Sequence, residues 1–284
     1  MAVLLALFSA ALYGAADFFG GIAARRAPVV PVVTLAQGTG VVLLLALMPL
    51  LPPASPSIAD LSWGAAAGPA GGAGVAWLYR ALAIGTMAIV APVTAVCAVA
   101  IPVAVGLILG ERPGTVTLIG IMTALLSIVL VSQQPVEAHA ADVPASRMPP
   151  GLGIALLSGI AIGVFFLCLA QTDPDGGMWP LVAARVASTA LFALGSVVTG
   201  VTLVLPSRAL TLAIAGGVLD VAANALYLLA ARRGALSIVV TLVSLYPAST
   251  IVLAKVFLGE RFSRLQAAGI VCALAAVLLI VGSS

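Results

Sequence analysis

The chain has 284 residues, 63% of them hydrophobic and 7% charged, with 12 Lys and Arg against 9 Asp and Glu for a formal charge of +3. A soluble chain of this length would carry roughly 70 charged residues at the usual quarter of the composition, so a water-solvated surface cannot be built from this one. That excludes a disordered chain, a nucleic-acid binder and a typical cytosolic enzyme; the scattered basic residues read as membrane-edge charges.

A helix crossing about 30 Å of hydrocarbon needs about 20 mostly apolar residues, because lipid tolerates only internally hydrogen-bonded backbone. Ten stretches meet that need, over residues 2–22, 29–51, 61–82, 87–109, 114–132, 150–171, 178–201, 208–231, 235–258 and 265–282. The first has no basic leader, and Asp17 interrupts it where a cleavage site would fall, so it reads as a span and not as a signal peptide. Turn chemistry separates the stretches at Arg25-Arg26-Ala27-Pro28, Pro52-Pro53-Ala54-Ser55-Pro56, Gly110-Glu111-Arg112-Pro113, Asp173-Pro174-Asp175-Gly176-Gly177 and Pro206-Ser207-Arg208. The longest polar segment, residues 133–149, divides the spans five and five, giving units 1–132 and 150–284.

Shifting the sequence by 149 residues without a gap lays Gly14 on Gly163, Gly68 on Gly217, Gly85 on Gly234, Ile89-Val90 on Ile238-Val239, Gly110-Glu111-Arg112 on Gly259-Glu260-Arg261, and Gly120 on Gly269. A shared Gly-Glu-Arg triplet and four further glycines in one register point to duplication. A unit of five spans ends on the side opposite its start, so the second copy is expected upside down. Inverted repeats place a site near the midplane between halves that exchange conformations, which is the basis of alternating access.

Ten spans in two units, each with Gly-Glu-Arg before its final glycine-containing helix, resemble the EamA-type members of the drug/metabolite transporter superfamily. The second half carries the resemblance most clearly, in Arg233-Gly234-Ala235-Leu236-Ser237-Ile238-Val239, Ser244-Leu245-Tyr246-Pro247 and Leu258-Gly259-Glu260-Arg261. The resemblance implies an all-α integral membrane fold, ten helices as two inverted five-helix repeats around a central cavity. It also implies small substrates such as amino acids, usually exported, and both termini in the cytoplasm.

An ionisable group at a helix centre costs at least about 2.5 kcal/mol on insertion scales and needs a partner or a wet cavity. Three such groups stand out: Asp17, Arg185 and Asp220. Asp220, Asn224 and Tyr227 follow one another at helical spacing as a polar stripe on the eighth span. The stripe reads as a cavity wall that binds a substrate amine or carries a proton, or else as a structural bond between helices with Arg185 as partner. Arg185 reads as a clamp for a substrate carboxylate or as a snorkelling residue. Asp17 reads as a site residue or as an interfacial partner of Arg25 or Arg26.

Trp77, Tyr79, Phe165, Phe166 and Tyr246 are candidate apolar cavity walls, with packing and the interfacial belt as the competing reading. Gly64, Gly68 and Gly72 form a small-residue face for a close helix neighbour. Pro92, Pro102 and Pro247 are expected kinks or hinges. Glu111-Arg112 and Glu260-Arg261 read as structural or gating pairs that cap the turns they occupy.

Neither the odd set Cys97, Cys168 and Cys272 nor His139 with Glu137 and Asp142 has the spacing of a disulfide framework or a metal site. No cofactor is expected. Connections after odd-numbered spans hold Arg25, Arg26, Arg80, Arg147, Arg208, Arg261 and Arg264, with Lys255 close by; those after even-numbered spans hold Arg112, Arg232 and Arg233. The count favours termini outside, against the family resemblance. The expectation is therefore an inner-membrane secondary transporter, not an enzyme, exporting amino acids or similar metabolites with Asp220 and Asp17 coupling to protons or substrate. Ten helices suffice to enclose the cavity, so a monomer meets the need. Efflux or exchange of a drug or a nucleotide-sugar-like solute, a lipid-acting enzyme and a non-transporting receptor are the alternatives.

Overall fold

The computed structural model describes residues 1–84, 87–131, 151–258 and 264–282. Gly85, the polar segment with His139, and Gly259-Glu260-Arg261 lie outside the described residues. Those that are described form a helical chain without strands. In order they are α1 (Ala2–Ala24), α2 (Val29–Leu47), α3 (Ile58–Ile84), α4 (Met87–Ile108), α5 (Thr115–Val131), α6 (Leu152–Ala170), α7 (Trp179–Thr199), α8 (Ser207–Ala231), α9 (Leu236–Val243), α10 (Tyr246–Leu258) and α11 (Arg264–Gly282).

Five of these, α1, α2 with its 3-10 extension to Leu50, α6, α7 and α8, are each long and apolar enough to cross a membrane; shorter apolar helices run through the remainder. The ninth expected span is broken. Ser244 and Leu245 form a turn between α9 and α10, and Pro247, without an N–H to donate, stands in the first turn of α10. Pro102, by contrast, is buried in an unbroken α4, and nothing separates that helix into two.

The outside of the bundle is apolar. Ile119, Met122, Val197, Val256, Val271 and Leu278 are all exposed, an arrangement that water penalises and hydrocarbon does not. Inside, α1 lies along α8 and α3 along α6; α2 packs on α7 and α8, and α7 on α3 as well. The helices α4 on α6, α9 and α10 on α1, and the pair α5 and α11 complete the packing.

Small residues set the closest approaches. A Cβ on Gly68 would overlap the Ala184 carbonyl of α7, and one on Gly217 would overlap the Ala36 carbonyl of α2. In lipid, where apolar contact with a neighbour helix gains little over contact with acyl chains, such backbone approach is what holds helices together. Buried hydroxyls add directional bonds: Ser9 Oγ on α1 donates to the Ala223 carbonyl of α8 at 2.7 Å, and Ser158 Oγ on α6 to the Gly74 carbonyl of α3 at 2.7 Å.

Candidate functional site

A cavity of about 50 Å³ lies between α1, α2, α3, α6, α7, α8 and the start of α10. At about 10–15 Å³ for one water, it holds roughly three to five waters, so the helices must part to admit an organic solute.

Its polar wall is a continuous relay over four helices. Gln37 Oε1 on α2 accepts from the Arg185 guanidinium on α7, which closes an ion pair with Asp220 Oδ2 on α8 at 2.6 Å. Asp220 is bonded in turn by Asn224 Nδ2, at 2.7 Å through its carbonyl and 3.3 Å through its carboxylate. Asn224 Oδ1 accepts from Tyr13 Oη on α1 at 2.6 Å. The helical spacing of Asp220 and Asn224 makes the intrahelical step possible, and the close packing of α1 along α8 brings Tyr13 within reach.

Asp17, one turn beyond Tyr13 on α1, lines the same cavity and has no hydrogen-bond or ion-pair partner among the described residues. It is not paired with Arg25 or Arg26. Ser188 Oγ and Tyr246 Oη also face the cavity and are buried without a partner. The opposite wall is apolar, formed by Phe165, Phe166 and Ile162 of α6 and by Gly68, Gly71, Gly72, Val75 and Leu78 of α3.

The expected site residues thus divide. Asp220, Asn224, Asp17, Arg185 and Tyr246 are brought together. Tyr227 is not: two turns along from Asp220 it has passed the cavity, is fully buried, and donates to the Phe166 carbonyl at 2.6 Å. Trp77 is 40% exposed on the outer face, because Val75 and Leu78 set the cavity side of α3 and residue 77 points away. Tyr79 is buried against α1, where its ring leaves room only for Gly20. Gln37, Tyr13 and Ser188 are the polar members the sequence reading missed.

Glu111 is not paired with Arg112. Its carboxylate reaches the other half of the chain, accepting from the Leu236 N–H at 2.6 Å and the Ser237 N–H at 3.1 Å, and so caps α9. Arg112 is exposed. Pro92 lies in α4 and Glu260 and Arg261 outside the described residues.

At one end of the bundle a second polar cluster ties connections together. Asp60 accepts from the Asp173 N–H at 2.7 Å, the Ser57 N–H at 2.9 Å and Ser57 Oγ at 2.8 Å. Arg232 donates to the Gly177 carbonyl and to Thr172 Oγ1. The backbone N–H of Asp173 first, and then Ser57, hold the Asp60 carboxyl below the usual carboxylate range.

An all-helical, apolar-surfaced bundle around a buried cavity with one charged wall is a multi-pass membrane protein built to handle a solute. The family model of the EamA-like transporter family matches residues 1–133 and 149–282. The chain belongs to that family of membrane transporters. No curated protein matches the sequence. One solved crystal structure shares the fold with a TM-score of 0.68 at 17% identity, over 98% of this chain and 95% of that one.

Proposed function

We propose that the chain is a secondary transporter of the inner membrane that exports small amine-bearing metabolites, amino acids being the first class to test, by alternating access between two inverted repeats. The observation that carries the reading is the Gln37–Arg185–Asp220–Asn224–Tyr13 relay beside the unpartnered Asp17. Ionisable groups in a bilayer are retained where they line a substrate or ion path. Asp17 is the carboxylate that a substrate amine or a proton would neutralise; Asp220, engaged by Arg185, takes part once the pair opens.

Support for the inversion comes from the packing. Under the 149-residue shift the α1–α8 contact becomes the α6–α3 contact, and Ser9 to Ala223 becomes Ser158 to Gly74. The two matched family segments coincide with the two halves. The broken α9–α10 helix, with Tyr246 at the cavity, is the discontinuous element such sites commonly use. Both termini lie in the cytoplasm on this reading.

The test is flux. Purified protein in liposomes loaded with labelled amino acids should release a subset of them faster than empty liposomes, with a rate that an imposed proton gradient changes. Solute binding without release would favour a receptor, and conversion of lipid would favour an enzyme.

A further inference from the structure

Resting on the transport reading, we infer that the preferred cargo is a monocationic amine with an apolar, ring-sized body, amino-acid chemistry with its carboxylate removed or masked.

The 149-residue shift sorts the cavity wall. Tyr13 falls on Ile162, Asp17 on Phe166, Gly71 on Asp220 and Val75 on Asn224, and both members of every pair line the cavity. In each of these four pairs a polar residue is matched, across the repeat, by an apolar one. A site assembled from two like halves has become polar on one side and apolar on the other, which is the complement of an amphipathic solute.

Charge decides the polar end. The cavity wall holds two carboxylates and one guanidinium among its described residues. Arg185 is committed: one terminal nitrogen bonds Asp220 and the other Gln37. Its Nε is buried without a partner, but it faces α2, where a Cβ on Gly40 would lie 3.5 Å from it. Both terminal nitrogens of the guanidinium are thus already engaged with protein groups. The formal charge remaining is Asp17, with the unpartnered hydroxyls of Tyr246 and Ser188 as neutral acceptors in the same cavity. An ammonium has three N–H donors and one positive charge to offer such a set. A substrate carboxylate would meet Asp17 as a like charge and would share Arg185 with Asp220 and Gln37, which already hold it.

The apolar end fits a ring. Phe165 and Phe166 lie 5.6 Å apart between centroids with their rings tilted at 54°, and the Phe165 ring lies so close to Gly71 that a Cβ there would sit 2.6 Å from it. The glycine face of α3 thus already accommodates a flat ring. A substrate ring takes that place as the helices separate.

The experiment compares phenethylamine, phenylalanine, phenylalanine methyl ester and phenylacetate, alike in body and different in charge. Purified full-length protein in liposomes is assayed for counterflow with empty liposomes subtracted, and in detergent for ligand-induced thermal stabilisation. Phenethylamine and the ester should exceed phenylalanine by about tenfold or more, the cost of one unfavourable charge contact, and phenylacetate should be inert. Asp17→Asn should remove the preference for the amine, with Tyr246→Phe weakening amine binding less. Phenylalanine moved as well as or better than phenethylamine would overturn the inference and leave amino-acid transport standing. Amine transport unchanged in Asp17→Asn would overturn the assignment of Asp17. Failure of all four compounds to move or stabilise the protein would sink the inference; release of an unrelated amino acid in the earlier panel would still uphold the transport reading. Should Asp17→Asn fail to fold, the wild-type ranking of the four compounds decides alone.

Discussion

Arg185 on α7 and Asp220 on α8 form an ion pair at 2.6 Å with side chains only 6% and 19% exposed. Burying two charges is costly, and the pair repays that cost only while both partners are present. Asp220→Asn leaves a guanidinium without its counter-charge and should lower stability by up to about 3 kcal/mol, the low end for a broken buried pair. Combining it with Arg185→Gln should restore most of that stability while transport stays low. Thermal unfolding in detergent and liposome flux separate the two effects. A single Asp220→Asn variant with wild-type stability and wild-type flux would remove the pair from both roles.

Glu111 ties the end of α4 to the start of α9, 125 residues away in the chain. Two N–H groups at a helix start have no intrahelical partner, and a carboxylate there also meets the positive end of the helix dipole. Glu111→Ala should cost about 1 kcal/mol, as loss of an N-cap does, and Glu111→Gln should cost less because an acceptor remains. A Glu111→Ala protein melting at the wild-type temperature would show that the contact contributes nothing.

The spans were legible because hydrocarbon thickness imposes a length and the backbone must bond internally; the expected and observed helices agree closely from α1 to α8. The break in the ninth span was not. Pro247 signalled a disturbance, but only the tertiary structure shows two helices meeting at Ser244-Leu245. In the site, charged residues announced themselves by their cost in lipid, whereas Gln37 and Tyr13 are uncharged and drew no attention. Gln37, an amide in an otherwise apolar run, was the available signal. Trp77 misled because residue type was weighed before helical phase: with Gly68, Gly71, Gly72 and Val75 on the cavity face, position 77 had to look elsewhere. Tyr79 shares that phase but lies a turn beyond Val75, where its ring meets Gly20 of α1 and not the cavity. The partner of Glu111 was invisible because an adjacent arginine supplied a nearer one on paper.

Acid should loosen one end of the bundle. Asp60 joins the connection before α3 to the one between α6 and α7 through N–H groups that favour its ionised form. A carboxyl whose folded pKa is depressed contributes stability that is complete above its unfolded pKa, begins to fade as pH falls through that value, and is gone below the folded one. The tie should therefore be intact at neutral pH and open only below about pH 4. A cysteine at Asp175, which is exposed beside the tie, should show an accessibility that rises on acidification in the wild-type background and is already raised in Asp60→Asn at neutral pH. Equal accessibility of the two proteins at neutral pH would mean that Asp60 does not hold the connection.

Ser9 and Ser158 stand 149 residues apart, and so do their acceptors Gly74 and Ala223, crossed between halves. Such a crossing arises if the halves are related by a two-fold axis, and with five spans in each half that axis must lie in the membrane plane. Two consequences can be measured. Cysteines introduced singly at positions 110–113 and 259–264 should react with an impermeant thiol reagent from opposite sides of sealed vesicles, because equivalent segments of inverted units face opposite solutions. Ser9→Ala and Ser158→Ala, which remove equivalent bonds, should each cost about 1 kcal/mol and by similar amounts. Labelling of both segments from one side would refute the inversion, whatever the serines do. Opposite-sided labelling with unequal serine costs would keep the inversion and show that the equivalent α1–α8 and α3–α6 interfaces are not equally strong.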